Sequence, residues 1–193
     1  MIDDTDDAPE RNVAWPAGAV GLAPVDLADA ELLHGWLSDP VALHEFGSWP
    51  RSLTALTGRI ERDMDDEDRD DFLVLLPDGT PAGFVALSGQ DLAGGTAAVE
   101  LLLAPEHRGH GHGGAALDAL VDLAFGELPL HRLTAETHTG NRPALAVLTR
   151  SGFLREGTSR QACLHRGRRH DLARFALLRP EWDALTRPRA WDA

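Results

Sequence analysis

The sequence predicts a single mixed α/β domain. With 193 residues, 43% of them hydrophobic, the chain has the size and the apolar content to bury one core. Apolar runs of strand length alternate with segments of helical spacing in the order β-α-α-β-β-β-α-β-α-β-β. No apolar run approaches the roughly 18 residues that span a bilayer, so no membrane partner is expected.

The N-terminal part predicts an acidic tail followed by one strand and two helices. Residues 1–14 are predicted to be a disordered tail, residues 15–185 the folded domain and residues 186–193 a C-terminal tail. The first strand covers 20–25. Asp26 or Asp29 is expected to cap a helix that the Asp39-Pro40 pair ends. Ser52 starts the next helix, and the charged stretch 61–71 is interpreted as a solvated helix face and loop.

The remaining elements form a hairpin, a long strand, two strand–helix units and a closing hairpin. Pro77-Asp78-Gly79-Thr80 is a turn sequence between two apolar runs, which predicts the first hairpin. A helix that begins near Pro143 is expected to end at Gly152. The predicted ranges are strands 72–76, 81–87 and 97–103, a helix through 117–124, strand 131–137, helix 143–150, and strands 153–163 and 169–178.

Charge and cysteine content restrict the partners and the compartment. The formal net charge is −13, which argues against nucleic acid as the main partner because phosphate binding needs a basic face. The same charge favours a cationic acceptor such as an amine through long-range steering, although acidity that only keeps the protein soluble explains it equally well. Cys163 is the only cysteine, and the acidic N-terminus is not a signal peptide, so the protein is predicted to be cytoplasmic.

The most informative feature is a glycine-rich turn, Gly109-His110-Gly111-His112-Gly113-Gly114, between a predicted strand and a predicted helix. Glycines allow positive φ and close approach of a ligand, and the N–H groups of a first helical turn face an anion. A diphosphate is therefore the expected guest, and a flexible surface loop is the weaker alternative. A nucleotide-binding P-loop is excluded because the sequence contains no lysine.

A dinucleotide-binding interpretation of this turn needs a separate argument. Gly109, Gly111 and Gly114 match the Gly-x-Gly-x-x-Gly pattern, and Glu136 lies near the expected position of the ribose-binding acid. However, a dinucleotide fold places this turn after its first strand and follows it with several βαβ units. Here the turn comes late, so a Rossmann-type nucleotide enzyme remains only as an alternative.

Several spaced segments resemble one family. Residues 104–117 resemble the coenzyme A signature of the GNAT superfamily of N-acetyltransferases. Residues 141–144 and 151–157 look like the corresponding segments of its RimJ/RimL-type branch, and residues 160–182 look like that branch's closing hairpin. Residues 26–40 and 49–52 fit it too, so the resemblance covers about 18–183. It implies a central, mostly antiparallel sheet with a splayed strand pair, flanked by helices.

The resemblance also implies an enzyme that uses acetyl-CoA. An amine, either a peptide or protein N-terminus or a small molecule, would attack the thioester directly. Deprotonating an α-amine at pH 7 costs at most about 1.4 kcal/mol, against roughly 4.6 kcal/mol for a lysine amine, so a weak base suffices for the former. The closing hairpin offers an edge through which two copies could pair as a homodimer. A non-catalytic acyl-CoA-binding or regulatory domain is a further alternative.

By resemblance, the cofactor is held by the turn and by the strand before it. The backbone at Leu102 and Leu103 would contact the pantetheine arm and offer an amide to the thioester carbonyl. Asn141 would bind the cofactor's arm. Ala144 stands where the family has a serine that is proposed to protonate the leaving thiolate, and with no tyrosine in the sequence the general acid is unassigned. The predicted diphosphate-binding residues are Arg108, Gly109, His110, Gly111, His112, Gly113 and Gly114.

Other polar residues are weaker candidates. Glu100 and Glu136 are candidate general bases, with a place on the wetter face of the sheet as the alternative. His138 is interpreted as a loop histidine. The histidines of the turn lie among glycines with no nearby cysteine, so no metal site is expected. The predicted acceptor-binding residues are His44, Glu45, Trp49 and Asp171, although a core position for Trp49 and a hairpin-closing role for Asp171 are slightly favoured.

Overall fold

The computed structural model describes residues 13–45 and 49–192, and most of the predicted acidic tail lies outside them. Eight strands form one sheet in the order β1-β2-β3-β4-β5-β6-β8-β7, which confirms the predicted mixed α/β class. One strand, β1, has no counterpart in the sequence-based prediction. The strands are β1 (Trp15–Ala17), β2 (Val20–Pro24), β3 (Arg69–Leu75), β4 (Pro81–Asp91), β5 (Thr96–Leu103), β6 (Arg132–His138), β7 (Leu154–His165) and β8 (Arg168–Leu178).

The helices begin where the sequence supplies caps. The Asp26 side chain accepts a hydrogen bond from the Ala28 amide and caps a short 3-10 turn that leads into the first helix. Asp39-Pro40 ends that helix, as predicted, but Pro40 also begins another, because proline is tolerated at the first helical position. The helices are α1 (Ala30–Leu37), α2 (Pro40–Glu45), α3 (Leu53–Asp63), α4 (His112–Glu127), α5 (Arg142–Arg150) and α6 (Arg179–Asp183).

The sheet separates two hydrophobic cores. Alternate residues of a strand point to opposite faces, so Leu73 and Leu75 pack toward α1 and α3, whereas Val74 packs toward α4. Both cores are built mainly from aliphatic side chains that exclude solvent. The α1–α3 face and the α4 face are therefore distinct sides of the molecule.

The sheet is antiparallel except between β5 and β6, and that pair is splayed. Parallel pairing covers only 96–98 of β5 and 132–134 of β6. Beyond these residues the two strands have no further register partners, so Val99–Leu103 and Ala135–His138 border a gap. This gap confirms the splayed strand pair that the family resemblance implies.

The C-terminal segment packs against α4 rather than leaving the domain. Asp122 is fully buried on α4 and accepts hydrogen bonds from Trp182 Nε1 (2.7 Å), Arg187 Nη2 (2.6 Å) and the Ala190 amide (2.7 Å). Residues 186–192, which the sequence predicts as a tail, are thus attached to the helix that follows the glycine-rich turn. No helix in the described part of the chain has the length and hydrophobicity needed to cross a membrane.

Candidate active site

The glycine-rich turn links β5 to α4 and has the backbone geometry expected of an anion site. Gly109 and Gly111 have φ of 81° and 89°, in the left-handed region that side chains disfavour. Gly111 is the N-cap of α4, and no side chain caps this helix end. The first turn of α4 contains no acidic residue, so its amides present an uncompensated positive dipole end.

The space around the turn is compatible with a bound diphosphate. A Cβ atom added at Gly109, Gly111 or Gly114 would meet no protein atom within 4 Å, so the protein leaves this side open. Gly113 instead faces the protein, where a Cβ would lie 3.4 Å from Leu103 Cδ1. The His112 imidazole lies about 6 Å from those of His107 and His110, and the three rings add hydrogen-bonding groups around the opening.

Arg108 has other partners than the predicted phosphate. Its Nε donates to the Leu103 carbonyl (3.1 Å), and its Nη1 donates to Asp39 (3.0 Å). The hydrogen bond that Asp39 accepts from the Ala42 amide, together with Arg108, holds the pKa of Asp39 below its ordinary value. Arg108 Nη2 is buried without a hydrogen-bond partner. Arg108 therefore ties the start of the turn to the α1–α2 corner and keeps one free donor group.

The backbone of β5 distinguishes between Leu102 and Leu103. The Ala104 amide donates to Ala82 of β4, and the Ala97 carbonyl accepts from Thr134 of β6. The backbone N–H and C=O groups of successive strand residues point to opposite edges of the strand. Those of Leu102 therefore point toward β4, and those of Leu103 point toward the gap. Of the two predicted pantetheine contacts, only Leu103 has this orientation. Leu101, which the prediction did not include, shares it.

Asn141 and Ala144 form the start of α5. The Asn141 side-chain oxygen accepts a hydrogen bond from the Ala144 amide (3.1 Å) and caps the helix. The side-chain NH2 group of Asn141 then remains able to donate a hydrogen bond to a cofactor. A serine at position 144 would also lie in this first turn, so the substitution to alanine removes a hydroxyl from the helix end beside the gap.

Glu100 and Glu136 flank the gap at the same level. Continuing the register of Ala98 and Thr134 by two residues brings these carboxylates to corresponding positions on the α1–α3 face, just beyond the last paired residues. Glu136 forms an ion pair with Arg174 (2.7 Å) and is about half exposed. Glu136 is therefore the more solvent-exposed of the two carboxylates, as the alternative interpretation expected, whereas Glu100 belongs to a more buried network.

Arg69 holds Glu100 with two hydrogen bonds of 3.0 and 3.2 Å. Burial alone would raise the pKa of Glu100, but hydrogen bonding and attraction from Arg69 outweigh it and lower that pKa. Arg69 also contacts Asp71 (2.7 Å). Burial raises the pKa of Asp71 to about 6 despite this contact. The stretch predicted to be a solvated loop thus contributes Arg69 and Asp71 to strand β3 and to a shared ion-pair network.

Four histidines gather on the α1–α3 face at the open end of the gap. His44 of α2 lies 4.9 Å from His138 and 4.0 Å from His165 between ring centroids, and His138 lies 4.5 Å from His170. His138 is a buried strand-end residue rather than the predicted loop histidine. His165 and His170 were not singled out by sequence, although their positions on either side of the Arg166-Gly167 turn could have suggested that they lie near each other.

The other predicted acceptor residues are dispersed. Trp49 is 80% exposed, which contradicts a core position, and it borders a shallow depression with His34 and Arg51. The Asp171 carboxylate accepts a hydrogen bond from the Gln161 amide across the closing hairpin (2.8 Å), which fits the hairpin-closing role. Glu45 is the last residue of α2. Among residues 13–45 and 49–192, no group of histidine, cysteine or acidic side chains is arranged to hold a metal ion.

Comparison with known proteins identifies the domain. The family model described as the acetyltransferase (GNAT) domain matches residues 20–154. The chain is 37% identical over 109 residues to the Bacillus subtilis (strain 168) protein named "Putative ribosomal N-acetyltransferase YdaF", covering 56% of this chain and 60% of that protein. It is 32% identical over 92 residues to "Uncharacterized N-acetyltransferase p20" of Bacillus licheniformis, covering 48% of this chain and 52% of that protein. The matches thus span about half to three-fifths of these relatives.

Solved structures share the fold. The spermidine N-acetyltransferase of Vibrio cholerae, crystallised with CoA and spermine, superimposes with a TM-score of 0.82 at 21% identity, covering 85% of this chain and 98% of that chain. A crystal structure of a "Probable acetyltransferase" superimposes with a TM-score of 0.76 at 28% identity, covering 86% of this chain and 96% of that chain.

Proposed function

Because the chain belongs to the GNAT acetyltransferase family, we propose that it transfers an acetyl group from acetyl-CoA to an amine. The observation that carries this proposal is the place of the gap, which opens at the end of the sheet where β5 enters the glycine-rich turn. Acetyl-CoA supplies a thioester whose carbon–sulfur bond breaks as the amine nitrogen bonds to the acyl carbon, with one amine proton lost. The RimJ/RimL-type branch is supported by the ribosomal name of one relative.

In this proposal the turn and the gap divide the work of binding the cofactor. The amides from Gly109 to Gly113 bind the diphosphate, aided by the dipole of α4. The Leu103 amide, directed into the gap, donates to the acyl oxygen, whose negative charge grows as the bond to nitrogen forms. The side-chain nitrogen of Asn141 binds the pantetheine arm. Arg108 holds the turn in position through Asp39 and the Leu103 carbonyl.

Proton removal is proposed to run through the carboxylates that flank the gap. Glu136, half exposed and close to solvent, accepts a proton from the amine through water. Both oxygens of Glu100 accept hydrogen bonds from Arg69, which makes Glu100 a weaker base. Its negative charge instead stabilises the protonated acceptor amine as it enters the gap. With Ala144 in place of a hydroxyl, the leaving thiolate takes its proton from water.

The acceptor is proposed to be a primary amine, either a peptide or protein N-terminus or a small molecule. The solved neighbour that contains spermine is a spermidine N-acetyltransferase, which supports amine acetylation as the type of reaction. A cytoplasmic location is proposed because the lone cysteine, Cys163, is a free thiol in the structure. Strand β7 at the edge of the sheet remains the proposed surface for homodimer pairing.

The test is acetyl-CoA turnover with a panel of amines. Free thiol is followed with a colorimetric reagent against blanks that lack amine and blanks that contain protein alone, since Cys163 is itself a thiol. Amine-dependent thiol release and an acetylated product in mass spectrometry are expected. Tight CoA binding with thiol release that never exceeds the no-amine blank would favour a non-catalytic acyl-CoA-binding domain. Thermal stabilisation by NAD(H) but not by CoA would favour a nucleotide enzyme instead.

A further inference from the structure

A cavity of about 480 Å³ lies at the open end of the gap. His138 ends β6 beside the gap and contacts His44 and His170, both of which line this cavity. The cavity therefore continues from the place where the acyl group would lie and is large enough for a small acceptor. We call it the basic pocket, and its lining residues are Pro40, Val41, His44, His165, Arg166, Arg168 and His170.

The charge of the basic pocket is opposite to that of the whole chain. Its lining contains two arginines, Arg166 and Arg168, in a chain whose formal net charge is −13. Arg166 and Arg168 are exposed at the hairpin tip, and within the described residues neither has a carboxylate at ion-pairing distance. The described lining includes no acidic residue. The chain-wide charge thus predicts a cationic acceptor, but the local charge at the pocket does not.

The histidines point to the same conclusion. Burial, together with repulsion from His44, Arg166, His170 and His138, lowers the pKa of His165. An anion bound beside His165 would offset this repulsion and favour its protonated form. Guanidinium groups match the geometry of carboxylate and phosphate oxygens, and imidazole N–H groups add single donors.

We propose that the basic pocket binds an oxyanion of the acceptor, so that the acceptor is an amine that also carries a carboxylate or a phosphate. This inference rests on the proposed acetyltransferase function and names its substrate class. A polyamine is disfavoured, because its second cationic group would lie among the arginines. The amine end lies toward the gap near His138 and Glu136, and the oxyanion lies toward Arg166 and Arg168.

Matched acceptors of equal length test the proposal. 4-Aminobutyrate, 4-aminobutyramide and 1,4-diaminobutane share one carbon skeleton and differ in the charge at the far end. We expect kcat/KM for the carboxylate to exceed that for the amide by about tenfold, with the diamine lowest. 3-Aminopropyl phosphate reports on phosphate, and the dipeptide amides Ser-Glu and Ser-Gln report on a peptide source. A preference for the acidic member in either series supports the proposal and identifies the source.

Variants of the hairpin tip provide the residue-level control. The double variant R166Q/R168Q should reduce the carboxylate preference to within about twofold of the neutral acceptor, while kcat/KM for 4-aminobutyramide stays within twofold of the unmodified protein. R169Q, which removes a neighbouring exposed arginine that does not line the pocket, should leave the preference unchanged. Equal or better use of the neutral or dicationic acceptor would overturn the proposal, as would an unchanged preference in the double variant.

A binding measurement separates this inference from the proposed function. If no acceptor gives turnover, calorimetry of 4-acetamidobutyrate with the CoA-bound protein still decides the question. Binding that is weakened by R166Q/R168Q and absent for 4-acetamidobutyramide supports the oxyanion site even though the acetyltransferase proposal fails. No difference between the two ligands overturns the oxyanion site.

Discussion

Replacing Gly111 with alanine should weaken CoA binding about tenfold or more while reducing the free energy of unfolding only moderately. Gly111 has φ of 89° and is the N-cap of α4. An added Cβ meets no protein atom within 4 Å, so the cost to stability comes from the backbone conformation alone. That cost is about 1–2 kcal/mol for an L-residue in the left-handed region.

The larger effect on CoA follows from where the methyl group lies. It would occupy the open side of the turn, where the diphosphate approaches the amides of the first turn of α4. A charge-assisted hydrogen bond contributes about 1.5–3 kcal/mol, so losing one of them weakens binding by a factor of ten or more. Dephospho-CoA keeps the diphosphate and should lose affinity by the same factor, which calorimetry can measure for both ligands.

The matched control is Gly89→Ala. Gly89 also has positive φ, 56°, and an added Cβ there also meets nothing within 4 Å, but it lies in β4 six residues from Gly83, which pairs with Leu103. At about 3.3 Å per residue, this places it roughly 20 Å from the strand end that enters the turn. Both variants should lose similar stability in urea unfolding, and only Gly111→Ala should lose CoA affinity. Unchanged CoA affinity in Gly111→Ala would refute the assignment of the diphosphate to the turn.

Two further predictions concern stability. Burial raises the pKa of Asp71 from 3.8 to about 6, so the folded state holds this proton more tightly than the unfolded state. The Asp71 contribution to the free energy of unfolding should therefore fall by about 2 kcal/mol between pH 4 and 6. Urea unfolding of Asp71→Asn should lack this component, and a pH-independent difference between the two proteins would contradict it. Asp122→Ala leaves Arg187 without its buried partner and should lower the free energy of unfolding by about 3 kcal/mol. Limited proteolysis should then cleave the segment after residue 185 more readily. A segment that stays protected would contradict its anchoring by Asp122.

The sequence predicted the elements that local signals encode. The order of strands and helices, the turn at Gly109–Gly114 and the end of α5 at Gly152 follow from periodicity, glycine content and capping residues, and these operate over a few residues. The short strand β1, the helices α2 and α6 and the packed segment 186–192 were not predicted. Trp15 and Trp191 meet across the structure at 6.2 Å between ring centroids, and neither carries a local signal for that contact.

The candidate site divides in the same way. The proposed diphosphate site is local, because a glycine-rich turn before a helix presents free backbone amides whatever the rest of the chain does. The pairing of Glu100 with Arg69 and of Arg108 with Asp39 was not predictable, because the partners come from distant segments of the chain. The exposure of Trp49 likewise depends on how those segments pack. The choice of Leu103 over Leu102 as the proposed cofactor contact depends on which strand lies beside each edge of β5. Only the order of strands in the sheet decides this.

The sequence by itself predicted a diphosphate-binding turn, one mixed α/β domain and membership of an acetyltransferase family, and the fold and the family are confirmed. Only the tertiary structure showed which side chains surround the proposed acceptor site. His44, His138, His165 and His170 come from three separate regions of the chain, and they meet because α2 and the β7–β8 hairpin both end beside the gap. The summed charge of the sequence is −13, yet this pocket is basic, because the field at a site depends on the distances between charges and not on their total.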